Sequence, residues 1–284
     1  MRSTAVNRVR QIDSDLYEIT ETDSVHCYLL VGSDRALLFD IGYGYEDIRP
    51  LIREITDKPL MLAVSHGDPD HSLGAAWFDE VWIHPLDVGK MLANDDRDLK
   101  ERAVGYRLQK CPELVGAIDV EAFMGRHLDQ VRPRMLRGGD TVDLGGLSLE
   151  VIHVPGHSYG HIMLLDSSGR LFSGDAVTRH NVWYFMSSDE QAPFAQAVAA
   201  LRTRLLPRRC EICAIYPAHD VYPLGVEAIE EQIACLEDDL PRTYHEDTPF
   251  HSFMGDGYQH RYKSVELIYS DERLAEWLGH EIVR

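Results

Sequence analysis

The chain has 284 residues, 44% of them hydrophobic and 26% charged, enough apolar content for a sizeable core and too much for a disordered chain. A formal net charge of −19 opposes binding to nucleic acid or to anionic membrane surfaces, both of which rely on cationic side chains. No apolar run approaches the roughly 20 residues that span a bilayer, and the basic start MRSTAVNRVRQIDSD has no apolar stretch behind it, so no export signal is expected.

Residues 24–32 (SVHCYLLVG) are mostly apolar, and 36–39 (ALLF) form a short buried-strand candidate ending at Asp40. Ile48, Leu51, Ile52 and Ile55 recur at helical spacing, with Pro50 in the first turn, where a missing N–H costs little. Residues 60–65 (LMLAVS) predict a buried strand, followed at once by the polar cluster His66–His71. SLGAAWF then opens a helix, and 81–85 reads as a further strand. Residues 90–135 are charged, mixed and weakly periodic, and are read as a helical insertion.

Strands return at 141–154, interrupted by Gly145-Gly146, and at 161–166 and 171–174 around a Ser-Ser-Gly turn. Phe194, Val198, Leu201 and Leu205 mark a helix, 212–217 a strand, and Val226, Ile229, Ile233 and Leu236 another helix. Residues 223–284 read as a C-terminal extension. Strands followed by helix, twice over, predict layered sheets covered by helices, in one domain across 1–284.

The chemistry concentrates at strand ends. His66-Gly67-Asp68-Pro69-Asp70-His71 holds four potential metal ligands in six residues, with Gly67 and Pro69 suited to a tight turn. Imidazole with carboxylate suits Zn, Fe or Mn. His157 follows a strand in Val154-Pro155-Gly156-His157, Asp175 follows one in Ser173-Gly174-Asp175, and His219 follows one in Tyr216-Pro217-Ala218-His219. Side chains at one edge of a sheet can converge on a single site.

Together, His-x-Asp-x-Asp-His, PGH, SGD and a late PAH resemble the metallo-β-lactamase superfamily, over roughly residues 14–222. The resemblance implies a four-layer αβ/βα sandwich with metals at one edge of the sheets. It implies His66, Asp68 and His157 on a first metal, Asp70, His71 and His219 on a second, and Asp175 bridging them, with Asp40 behind the ligands to orient an imidazole. Two divalent ions are expected, zinc first, iron or manganese as alternatives. Asp68 departs from the pattern, since the usual motif is His-x-His-x-Asp-His, and flavodiiron proteins carry a glutamate there. An extra carboxylate lowers the charge of the centre, weakens its Lewis acidity and shifts preference toward Fe or Mn.

The activity implied is hydrolysis of a small-molecule ester, thioester, lactone or phosphoester by a metal-bridging hydroxide, with Asp70 both ligand and proton carrier. The alternatives are a flavodiiron-like di-iron oxidoreductase without its own flavin domain, and a non-catalytic metal- or ligand-binding module. Tyr159, His180, Trp183 and Tyr184 fall near the expected metal edge as substrate-pocket candidates, whereas His161 is expected to hydrogen-bond within its turn. Cys210 and Cys213 form a CxxC whose members are expected on opposite faces of a strand. Five cysteines without an export signal point to free thiols in the cytoplasm. The expected partner is a small molecule rather than nucleic acid or a membrane, and the mixed insertion offers a face for a homodimer.

Overall fold

The first strands form a meander. β1 (Asn7–Gln11), β2 (Leu16–Glu21), β3 (Val25–Val31) and β4 (Ala36–Phe39) pair antiparallel in sequence order. The side chains of β4 are at most 1% exposed. Apolar runs this completely covered need no polar face, which is why ALLF reads as continuous rather than alternating.

The computed structural model describes residues 3–282 apart from 180, 181 and 220, and divides into two compact units, Met1–Glu150 and Val151–Arg284. In the first unit the meander continues into parallel strands β5 (Leu60–Ala63), β6 (Glu80–Ile83) and β7 (Arg132–Met135), giving a seven-stranded sheet in order of sequence. Parallel neighbours require crossover connections. Helix α1 (Arg49–Ile55) supplies the first, burying Leu51 and Ile52 with Pro50 in its first turn. The single turn α2 (Pro69–Ser72) and a 3-10 segment Leu73–Trp77 supply the second. Helices α3 (Val88–Ala93), α4 (Arg97–Lys110) and α5 (Val120–Gly125) fill the third.

The stretch 90–135 is therefore helical for most of its length, but its last four residues form edge strand β7. Arg132, Arg134 and Met135 in that strand are exposed, so it carries no apolar signature. β8 (Thr141–Asp143) pairs with the first half of β9 (Ser148–His153) around Gly145 and Gly146, whose φ of +81° and +72° suits the turn to glycine.

In the second unit, β9 continues beside β10 (Ile162–Asp166) and β11 (Arg170–Gly174), with β12 (Val182–Tyr184) in a separate sheet and β13 (Ala214–Pro217) parallel to β11. Helix α6 (Phe194–Ala200) runs on through a π-turn Leu201–Leu205, and α7 (Glu227–Ala234) runs on through Cys235–Asp239 into α8 (Leu240–Thr243). β14 (Thr248–His251), β15 (Asp256–Tyr262) and β16 (Val265–Tyr269) join β12 in a four-stranded sheet, order β12-β16-β15-β14, before the final helix α9 (Asp271–Leu278). Phe194, Val198, Leu201, Ile229, Ile233 and Leu236 meet in one buried core. Each apolar stripe read from the sequence in this unit faces that core. Among the described residues, no helix is long and apolar enough to cross a membrane.

Candidate metal centre

In the first unit, strand β5 delivers the chain to Ser65 and His66, both fully buried. Asp68 is the N-cap of α2, yet its side chain does not cap the helix and is turned elsewhere. The turn closes through His71 N–H and Ser72 N–H, each donating to the Asp68 carbonyl at 3.0 Å. It brings Asp68, Asp70 and His71 within one coil of chain. Asp68 Oδ2 lies 3.2 Å from His66 Nε2, Asp70 Oδ1 lies 3.6 Å from His71 Nε2, and the two imidazoles sit 4.1 Å apart.

Asp40 organises this set from behind. It is 1% exposed and left-handed, with φ +64°. Its Oδ1 accepts Ser65 N–H at 2.6 Å, and its Oδ2 accepts Ser65 Oγ–H at 2.9 Å and faces His71 Nδ1 at 3.0 Å. A carboxylate only accepts, so His71 carries its proton on Nδ1. The Ser65 hydroxyl has spent its one proton on Asp40, so its contact with His66 Nδ1 at 2.9 Å makes His66 the donor there. Both imidazoles therefore present an unprotonated Nε2, the tautomer that binds metal.

The second unit repeats this logic with different parts. His157 follows β9 and is 3% exposed, and its Nδ1 donates to the Trp183 carbonyl at 2.9 Å, again leaving Nε2 as a lone-pair donor. Asp175, just past β11, turns Oδ2 toward His157 Nε2 at 3.7 Å and Oδ1 toward His219 Nε2 at 3.6 Å. One carboxylate thus addresses two histidines, the arrangement a bridging ligand needs. His161 Nε2 accepts the Asp175 backbone N–H at 3.1 Å, so this buried histidine holds the main chain of Asp175.

The donor chemistry fits a cation. An unprotonated Nε2 facing a carboxylate oxygen is a pair of electron-rich atoms that repel unless positive charge lies between them. Two ligands each about 2.1 Å from one tetrahedral ion are about 3.4 Å apart. The observed separations of 3.2 to 3.7 Å bracket that spacing.

Of the residues read as pocket candidates, three lie among the described residues. The Tyr159 hydroxyl donates to the Ser188 carbonyl at 2.7 Å. Trp183 packs against Phe185 and Phe250, with ring centroids 4.9 and 5.6 Å away. Tyr184 is 1% exposed and packs on Phe194 within the core, where burial pushes its phenol well above the ordinary range. His180 lies outside the described residues. All five cysteines are free, and Cys210 and Cys213 lie on the surface in the turn before β13.

The sequence reading missed Ser65, Asp87, Lys90 and Asn94, which surround the His66–Asp68 turn. Asp87 Oδ2 accepts Gly67 N–H, Asn94 Nδ2 donates to the Gly67 carbonyl, both at 2.9 Å, and Lys90 is ion-paired with Asp68. It also missed Glu21, which is 2% exposed and accepts the backbone N–H groups of Tyr43, Gly44 and Tyr45. Burial pushes the Glu21 carboxyl up to about 7 against the pull of those donors.

Buried histidines of fixed tautomer beside strand-end carboxylates define an α/β protein whose donor groups can hold divalent metal ions. The family model of the metallo-beta-lactamase superfamily matches residues 20–219, more than two thirds of the chain. The chain belongs to that superfamily, and its fold is the α/β type expected from the motifs. The acyl-coenzyme A thioesterase MBLAC2 of Gallus gallus is 31% identical over 163 residues, 53% of this chain and 56% of that protein. The hydroxyacylglutathione hydrolase GloC of Haemophilus influenzae is 23% identical over 199 residues, 67% of this chain and 83% of that protein. The chain thus spans little more than half the length of the thioesterase it matches. A beta-lactamase domain protein of Burkholderia ambifaria aligns with a TM-score of 0.60 at 20% identity, covering 88% of this chain and 83% of that one. A metallo-beta-lactamase family protein of Thermus thermophilus aligns at 0.57 and 21% identity, covering 84% and 85%. These two likenesses speak to the fold.

Proposed function

We propose that this chain is a metal-dependent hydrolase that cleaves an acyl thioester of a small thiol carrier. The observation that carries the reading is the fixing of tautomer at His66, His71 and His157, which presents three unprotonated Nε2 atoms beside carboxylate oxygens. Support for the substrate class comes from relatives named for removing acyl groups from coenzyme A and from glutathione, both of which carry acyl groups on sulfur. By superfamily correspondence, His66, Asp68 and His157 would hold one ion, Asp70, His71 and His219 a second, with Asp175 shared. Bound divalent ions supply Lewis acidity and a water acidified toward neutrality.

The chain's own residues supply orientation and proton handling. Asp40 and Ser65 hold two imidazoles in register, and the Trp183 carbonyl holds a third. Asp70 has the most exposed side chain of the three carboxylates, at 24% against 17% for Asp68 and 12% for Asp175. That exposure supports Asp70 as the carboxylate that takes a proton from the attacking water and passes it to the departing sulfur. The C–S bond breaks, a C–O bond forms, and water contributes hydroxyl to the acyl group and a proton to the thiol. A small-molecule substrate accords with the acidic chain, and a reducing compartment accords with five unpaired cysteines.

The test is turnover of acyl-coenzyme A and S-acylglutathione by metal-loaded protein, beside an ester, a lactone and a phosphodiester. Thioester cleavage should exceed the rest, and Asp70→Asn should lower it by about a hundredfold or more. A fully loaded protein that leaves both thioesters intact, or cleaves only the phosphodiester, sinks the reading.

A further inference from the structure

Asp68 gives its two oxygens separate work. Oδ2 lies 3.2 Å from His66 Nε2, while Oδ1 is ion-paired with Lys90 Nζ. This is not a solvated surface pair, since the Lys90 side chain is 10% exposed and that of Asp68 17%. Lys90 lies on α3, and the segment that carries it grips the same turn at two further points, through Asp87 and Asn94 on the two polar groups of Gly67. Residues 87, 90 and 94 recur at helical spacing, so one helix face addresses the turn. The fit is close: a Cβ at Gly67 would lie 2.8 Å from the Asp87 carbonyl oxygen and 3.2 Å from Lys90 Cβ.

The geometry points to Lys90 as the positioning and charge-compensating partner of Asp68, a role that rests on the metallohydrolase reading. A lone carboxylate can chelate an ion through both oxygens. Lys90 occupies one, so Asp68 offers a single donor atom, as an imidazole would. Lys90 also cancels one negative charge of the pair Asp68 and Asp70, so the donors of this unit carry the charge they would have with a neutral ligand at 68. Asp68 and Lys90 are thus one unit, and neither is replaceable alone. Installing histidine at 68 while Lys90 stays would remove the carboxylate charge that faces a largely buried ammonium and leave that ammonium beside a divalent cation, which it repels.

The experiment compares the full chain with D68H, K90M and D68H/K90M. Methionine keeps the apolar stem against Gly67 and removes the charge. Zinc and manganese dissociation constants are read by chelator competition, and the thermal midpoint of each metal-free protein controls for folding. D68H should weaken zinc binding by about tenfold or more, and D68H/K90M should return to within about threefold of the parent. K90M alone should move the manganese-to-zinc preference up by about tenfold, because the freed carboxylate can bind through both oxygens. If D68H does not fold without metal, D68N and D68N/K90M carry the same expectation. D68H that binds zinc as tightly as the parent, a double variant no better than D68H, or K90M with unchanged preference each overturns the proposal. Because turnover is not read, a failed thioesterase assay leaves this test standing, and simple additivity here leaves the thioesterase reading standing.

Discussion

Replacing Asp40 by asparagine should uncouple the histidines from the metal without unfolding the chain. Asparagine tolerates the left-handed backbone at φ +64°, so the turn survives. If the amide oxygen keeps the Ser65 N–H, the new NH₂ faces the Ser65 hydroxyl and His71 Nδ1. It can only donate, so the hydroxyl must point its proton at His66 Nδ1, and His71 must move its proton to Nε2. Both imidazoles then turn a protonated Nε2 toward the metal. Loss of one such outer hydrogen bond usually costs about 10- to 100-fold in affinity, so two histidines together should lose about 10²- to 10⁴-fold. The folded state itself should lose no more than about 1–3 kcal/mol, the cost of one buried charged acceptor. Metal affinity is read by chelator competition, and histidine nitrogen chemical shifts of the metal-free protein report the tautomers. Ser65→Ala, which touches only the His66 relay, should fall about 10- to 100-fold. Native affinity in Asp40→Asn, or an equal loss in Ser65→Ala, would refute the relay.

Three further outcomes follow from the same geometry. The folded protein holds the Glu21 proton up to about pH 7 and the unfolded chain only to an ordinary glutamate value, so Glu21 favours folding at low pH and loses that advantage as pH rises toward neutrality. Relative to Glu21→Gln, the parent should lose roughly 3 kcal/mol of stability between about pH 4.5 and 7.5, read by urea unfolding, and a flat difference would contradict the buried-acid account. Gly67→Ala would set a Cβ 2.8 Å from backbone atoms of both Asp87 and Met91, which should cost about 1–3 kcal/mol and lower metal loading, checked by denaturant unfolding and elemental analysis. Stripping the metal with a chelator should lower the thermal midpoint, and restoring ions at a hundred times their dissociation constant should return about 2.7 kcal/mol.

What was legible in the sequence was whatever apolar burial or ligand spacing writes locally. ALLF is a strand at the residues expected, and LMLAVS is a strand that stops at Ala63, two residues short, because Ser65 turns to Asp40 instead of continuing the ladder. The proposed ligand residues stood out because His66, His157, Asp175 and His219 follow closely on apolar runs and Asp68, Asp70 and His71 crowd the six residues that begin at His66. Edge strand β7 was illegible because an exposed edge buries too little to need a pattern, and its RPRM looks like loop. β14 and β15 were hidden for the same reason, being mostly exposed or half-exposed. Lys90 was illegible for another reason. Its partner lies twenty-two positions earlier, and only the packing of α3 on the Gly67 turn brings the two together. Tyr184, read as a pocket candidate from its place in the chain, sits on the inward face of β12, a direction that the short run VWY does not reveal.

The carbonyl that holds His157 belongs to Trp183 in β12, and β12 pairs with β16, so Trp183 lies opposite Ile268. β16 stands well beyond residue 219, where the superfamily match ends. The tail is therefore no detachable appendage: its last strand is the ledge on which the group that orients His157 rests. Gln191 adds a second grip, donating to the same carbonyl at 2.8 Å. A chain trimmed to the matched segment would keep every proposed ligand yet leave β12 without its β16 partner. Modular exchange of this tail between relatives would then carry the posture of His157 with it, and inheritance of the ligands alone would not bring inheritance of the centre.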